Sequence, residues 1–162
     1  MLYNRRHFLK FGIFSAMASF QPALALAHAK RSLPPRRSLS LYSTQTTERL
    51  LVNYYIRGKY QLNALEEINY ILRDHRTGEI KPIDIRLLDL LCAISLKLNT
   101  RSPFHVISGY RSPSTNAMLR KKSRRVAKNS MHVWGKAVDI RLPKFKTALL
   151  RRTSMNLKQG GV

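Results

Sequence analysis

Apolar positions follow two different rhythms along the chain. In residues 38–43 (SLSLYS) and part of 49–56 (RLLVNYYI) they alternate with polar ones, among β-branched and aromatic residues. A period of two puts alternate side chains on one face, so these runs predict a hairpin or paired strands, followed by a turn at Gly58-Lys59. Over 61–74 the spacing changes: Leu62, Leu65, Ile68, Ile71 and Leu72 share one side of a helix that ends near Thr77-Gly78. His75, just past that helix, is placed to meet its terminal carbonyls. After Pro82, Asp84 can cap a second helix over 85–98, whose apolar content predicts burial on a wide face. Residues 104–108 (FHVIS) have strand composition and run straight into Gly109-Tyr110-Arg111. Ser114 can cap a short helix whose first turns are 116–119. Residues 137–142 predict a strand carrying Asp139, and 145–158 predict a last helix stopped at Gly160-Gly161.

The first 37 residues follow neither rhythm. Residues 1–29 read as an export signal: Asn4-Arg5-Arg6-His7-Phe8-Leu9-Lys10 resembles the twin-arginine pattern, with Asn where Ser or Thr usually stands. The apolar run FGIFSAMASF follows, and Ala25-Leu26-Ala27 or Ala27-His28-Ala29 offers a small-x-small cleavage site. Gln21-Pro22 interrupts the run, and a stable transmembrane anchor would need ~20 apolar residues. An uncleaved basic anchor helix is the alternative. Export through the twin-arginine machinery, to a bacterial periplasm or wall, is the expectation. Residues 30–37 (KRSLPPRR) read as a basic, Pro-rich linker with solvated charges. That leaves 38–162 as one domain.

Charge narrows the surroundings and not the fold. Thirty Lys and Arg against eight Asp and Glu give a formal charge of +22, which favours nucleic acid, anionic membrane or acidic wall polymer. The basic run 121–128 (KKSRRVAK) lacks the interleaved aromatics of a nucleic-acid surface and reads as a solvated loop. With the export leader, this argues against a specific nucleic-acid partner. The single cysteine, Cys92, excludes an internal disulfide and reads as a small buried hydrophobe.

Against that background Asp139 stands out, being the only acidic residue between Leu90 and the final Val162, an interval holding sixteen Lys and Arg residues. His132 precedes it by seven positions. Fully extended, seven residues span roughly 23 Å, whereas two ligands of one zinc lie within ~4 Å. A shared metal therefore requires a bend, which Gly135 in Val133-Trp134-Gly135 can supply. Arg111, following a neighbouring strand end, could hold an anionic or developing oxyanion group. On spacing alone, a structural His beside an Asp paired with Arg141 or Arg111 is an equal reading.

Two joined motifs, SGYRSPSTNAMLR (108–120) and SMHVWGKAVDIRL (130–142), resemble the M15-type zinc peptidases of the bacterial wall, in the murein endopeptidase K branch. The S-x-H-x-x-G-x-A-x-D pattern is matched by Ser130, His132, Gly135, Ala137 and Asp139. The similarity extends back through DHRTGEIKPIDIRLLDLL (74–91) and the leader. The resemblance implies a small α+β domain, a mostly antiparallel central sheet flanked by helices. It also implies one Zn2+ held by His132 and Asp139, and cleavage of peptidoglycan peptide cross-links. In that family Arg111 would contact substrate and stabilise the tetrahedral intermediate, and Ser130 would orient its neighbours. The family's third ligand, a histidine, comes after a GGVGYY-like turn, and this sequence reaches Gly160-Gly161-Val162. The expectation is that the third ligand, a nearby acid and the last strands lie beyond Val162, which leaves an inactive remnant that at most binds wall fragments as the alternative. His105 is the nearest substitute ligand, although alternation with Ile107 makes it an ordinary strand histidine.

Overall fold

The structure, a computed structural model, describes residues 33–158. The export signal read in 1–29, the start of the 30–37 segment and the stop at Gly160-Gly161 lie outside the described residues.

The alternating runs form the sheet. β1 (Arg36–Ser43) pairs antiparallel with β2 (Arg49–Ile56), in register from Ser38↔Asn53 to Tyr42↔Arg49. Leu39, Leu41 and Ser43 point into the core while their neighbours face outward, the burial that a period of two predicts. β2 turns back into β3 (Lys59–Tyr60) through Arg57 and Gly58, both left-handed at φ 48° and 82°. Two successive positive φ angles match the right-handed twist of a tight hairpin.

Two helices then carry the chain across. α1 (Leu62–Ile71) buries Ala64, Ile68 and Ile71, and α2 (Ile85–Lys97) buries Leu88, Leu91, Cys92, Ala93 and Ile94. The Asp84 carboxylate accepts from the Arg86 amide, so the expected cap of α2 is present. At the end of α1 the expectation for His75 fails. The Arg73 guanidinium donates to the Tyr70 carbonyl (2.8 Å) and the Leu72 amide to that of Ile68 (3.1 Å), so the terminal carbonyls are already served.

This crossover lets β4 (Phe104–Ser108) lie parallel to β1, which two-residue hairpins cannot achieve. α3 (Pro113–Lys122) follows, then β5 (Asp139–Arg141), antiparallel to β4, and α4 (Thr147–Asn156). The five-stranded sheet runs β3-β2-β1-β4-β5, with three antiparallel pairings and one parallel. The expected α+β class and mostly antiparallel sheet are found.

Three local readings change. Ser112, not Ser114, caps α3: its hydroxyl accepts from the Thr115 amide, and Pro113 occupies the first helical position, where its fixed φ is preorganised. The basic run after it begins inside α3, where Arg120, Lys121 and Lys122 in the last turn face the negative helix end. The strand β1 also begins at Arg36, two residues inside the segment read as linker. Arg37 is not a solvated charge: it donates to Asp89 Oδ1 at 2.7 Å and lies over the Tyr55 ring. Tyr54 and Tyr60 hydroxyls donate to the same carboxylate at 2.9 and 3.0 Å. This network ties the sheet to α2 beneath the core of Leu39, Leu41, Leu88 and Leu91.

Candidate active site

The site is built where β4 ends and β5 begins. Ser108 and Asp139 are Cα partners across the two strands, beside a register irregularity after Val106. This pairing brings the start of β5 next to the Gly109–Ser112 corner. Between them, Met131–Trp134 forms one 3₁₀ turn that ends at Gly135, left-handed at φ 64°. The Gly135 amide donates to the His132 carbonyl (3.2 Å), and the Gly135 carbonyl accepts from the Asp84 amide (2.9 Å). The bend is thus anchored to the segment that starts α2.

His132 is oriented from behind. Its Nδ1 lies 2.8 Å from the Gly109 carbonyl oxygen, which can only accept, so Nδ1 carries the proton and donates. Nε2, the other ring nitrogen, lies 3.5 Å from Asp139 Oδ2, where a shared proton or a cation can join them. Two electron-rich atoms facing each other need a cation or a proton between them. Ligands at about 2.0–2.1 Å from a tetrahedral zinc stand roughly 3.3–3.4 Å apart, so the pair fits two corners of such a site. A histidine whose other nitrogen donates to a backbone carbonyl is the usual form of a metal ligand. The imidazole, and then the Arg111 charge, hold the half-exposed Asp139 carboxyl below its ordinary pKa against the opposing effect of burial.

Arg111 is the third member. Its guanidinium is mostly buried, with an NH2 nitrogen 3.8 Å from Asp139 Oδ2 and donating to Ser108 Oγ at 3.4 Å. Its Nε–H is buried with no partner. Leaving such a donor unpaired costs about 1–3 kcal/mol, recovered when an oxygen arrives. The Arg111 amide also donates to the His132 carbonyl (3.2 Å), which couples the two loops. Ser130 is buried at the start of the 3₁₀ turn, where its carbonyl accepts from the Val133 amide (3.0 Å) and its hydroxyl makes no cap bond. Asn116 on α3 holds the approach to Ser130 through the Ala127 and Lys128 carbonyls.

Of the four predicted site residues, His132, Asp139 and Arg111 converge, and Ser130 lies two residues from His132. His105 stays apart: its ring packs edge-on against Tyr42, 4.8 Å between centroids, opposite Arg141. Among the described residues no group of three or more His, Cys, Asp and Glu side chains could hold one ion.

The family model described as peptidoglycan L,D-endopeptidase MepK, an M15 peptidase family, matches residues 31–162. The chain is 36% identical over 159 residues to peptidoglycan L,D-endopeptidase MepK of Escherichia coli (strain K12), covering 98% of this chain and 86% of that protein. A probable peptidoglycan L,D-endopeptidase MepK of Haemophilus influenzae is 35% identical over 160 residues, covering 98% and 85%. The chain belongs to the M15-type murein endopeptidase family. It is a peptidase by descent, as the two joined motifs imply. No solved structure matches it.

Further residues hold this corner together. The Asp74 carboxylate is buried and accepts from the Arg76 amide (2.9 Å), the Ser112 amide (2.9 Å) and the Ser112 hydroxyl (2.7 Å). Burial pushes its pKa up, but bonds from Thr115, Ser112 and the two amides outweigh this and hold it well below the carboxylate range. Gly109 presses on α1 so closely that a Cβ would lie 2.4 Å from the Leu72 oxygen, which also accepts from the Tyr110 amide (2.7 Å). Asp74 opens the quoted run DHRTGEIKPIDIRLLDLL, yet nothing in that run says its carboxylate turns inward.

Proposed function

We propose that this protein is a zinc-dependent murein endopeptidase that cleaves peptide cross-links of peptidoglycan after export by the twin-arginine route to the periplasm. The relatives' printed activity makes an L,D-peptide bond the expected target. The observation that carries the reading is the His132–Asp139 pair, 3.5 Å apart with Nδ1 already engaged by the Gly109 carbonyl. Those two residues would hold the zinc, and a further donor would come from outside the described residues. Zinc, when bound, polarises a scissile carbonyl and lowers the pKa of a bound water.

The remaining work falls to this chain's own groups. Arg111 presents a buried, unpaired Nε–H and a positive charge beside Asp139, the arrangement that opposes negative charge developing on a carbonyl oxygen. Ser130 starts the turn that aims His132. The large excess of Lys and Arg over Asp and Glu draws the protein toward an anionic wall and speeds encounter.

The two-donor set among the described residues favours a second reading, a fold that binds wall fragments without cutting them. Elemental analysis of the purified 162-residue protein beside His132→Ala, followed by incubation with cross-linked muropeptides, separates the two. About one zinc per chain, lost in the variant together with hydrolysis, is the expected outcome. Hydrolysis that survives His132→Ala would sink the zinc mechanism. Absence of metal and turnover in both proteins would leave the binding fold.

A further inference from the structure

Lys81 lies in the connection between α1 and α2, and its ammonium sits over two aromatic rings. Nζ is 5.3 Å from the centroid of Trp134 and 5.8 Å from that of Tyr110. Both distances are within the range in which a ring face attracts a cation. The two rings belong to the two loops that build the site: Trp134 is two residues from His132, and Tyr110 is next to Arg111. Pro82, the next residue, packs its carbonyl under Gly135, so this connection is held against the bend.

Lys81 is half-buried, yet it takes no part in the ion pairs found among the described residues. Even the exposed carboxylate of Glu79, two positions before it, stays outside pairing distance. The surroundings also offer an apolar surface. Met131 and Trp134, on either side of His132, are 58% and 57% exposed, high values for large hydrophobic side chains next to a site. An oriented ammonium beside an exposed aromatic platform recognises a ligand with a carboxylate and a short apolar body.

We propose that Lys81, Trp134 and Met131 form a subsite that holds a free carboxylate of the wall peptide next to the bond being cut. This rests on the peptidase reading for the identity of the ligand, and not for the binding itself. Lys81 here is a specificity residue: it fixes where the peptide lies, with no part in the bond-breaking step.

Trp134 is the sole tryptophan of the chain, so its fluorescence reports on this subsite without any turnover. The experiment titrates the full-length protein, and its Lys81→Gln and Lys81→Arg variants, with a cross-linked muropeptide and with the same muropeptide amidated at its carboxylates. The expected result is a Trp134 response at which the free acid binds about tenfold more tightly than the amide, a preference erased by Lys81→Gln and kept by Lys81→Arg. In turnover, Lys81→Gln raises KM by a similar factor and leaves kcat within about twofold. Equal binding of acid and amide by the unaltered protein, an undiminished preference in Lys81→Gln, or no binding of either peptide would overturn the subsite. Acid-selective binding with no hydrolysis by the unaltered protein would instead overturn the peptidase reading and leave the subsite standing.

Discussion

Gly135 and Pro82 touch backbone to backbone: a Cβ on Gly135 would lie 2.5 Å from the Pro82 carbonyl oxygen, and the glycine is left-handed at φ 64°. Both facts exclude other residues, the first by contact and the second by backbone angle. Through this contact the His132–Asp139 bend is seated on the start of α2 rather than hanging in a loop.

Gly135→Ala is therefore expected to destabilise the fold by at least ~2 kcal/mol, since the left-handed conformation and the backbone clash add. Urea unfolding would measure the loss. Zinc affinity should fall with it, because the bend sets the distance between His132 and Asp139.

Substituting either proposed ligand should act on metal more than on fold. His132→Ala and Asp139→Ala are each expected to weaken zinc binding by at least about a hundredfold. Asp139 is half exposed, so its replacement should leave the unfolding midpoint near that of the unaltered protein. Competition with a metal chelator reads the first quantity and urea unfolding the second. Unchanged zinc affinity in Asp139→Ala would remove that residue from the site.

Arg111→Ala is expected to lower kcat by about 10²–10³, the usual loss when one donor to a developing oxyanion is removed. Arg111→Lys should recover only part of this, because lysine keeps the charge and lacks the planar fork and the Nε–H. Steady-state kinetics on muropeptides would show whether the loss falls in kcat, as expected, or in KM.

Asp74→Asn removes a buried carboxylate that accepts three hydrogen bonds, and it turns an amide N–H toward donors. A loss of about 2–4 kcal/mol is expected near neutral pH. The pH dependence follows from the depressed pKa. Because the folded value lies well below the ordinary 3.8, the contribution of Asp74 is fully present above the unfolded pKa and is lost as pH falls toward the folded one. Urea midpoints should accordingly drop more for the unaltered protein than for Asp74→Asn between about pH 7 and about pH 3. Parallel decline of the two would refute a structural role for the ionised carboxylate.

Much of the fold was legible from local pattern. The two-residue alternation located β1 and β2, the helical spacing located α1 and α2, and Asp84 announced its cap, because each depends on neighbours close in sequence. Local pattern points to Ser114, since what makes Ser112 the cap is Pro113 at the first helical position together with Asp74, 38 residues upstream. Local pattern presents Arg37 as a solvated charge because its partners, Asp89, Tyr55 and Tyr60, are distant in the chain.

The site divides in the same way. By itself the sequence determined the candidates for chemistry: His132, Asp139 and Arg111 follow from two motifs, and Gly135 from the need for a bend. Only the tertiary structure decided that β5 pairs with β4 so that Asp139 stands opposite Ser108, that the Gly109 carbonyl accepts from His132 Nδ1, and that Asp74 fastens the corner from beneath. Backbone carbonyls and close glycine contacts leave no mark in residue identity. They come from the packing of segments far apart in the chain, and so they appear only once the chain is folded.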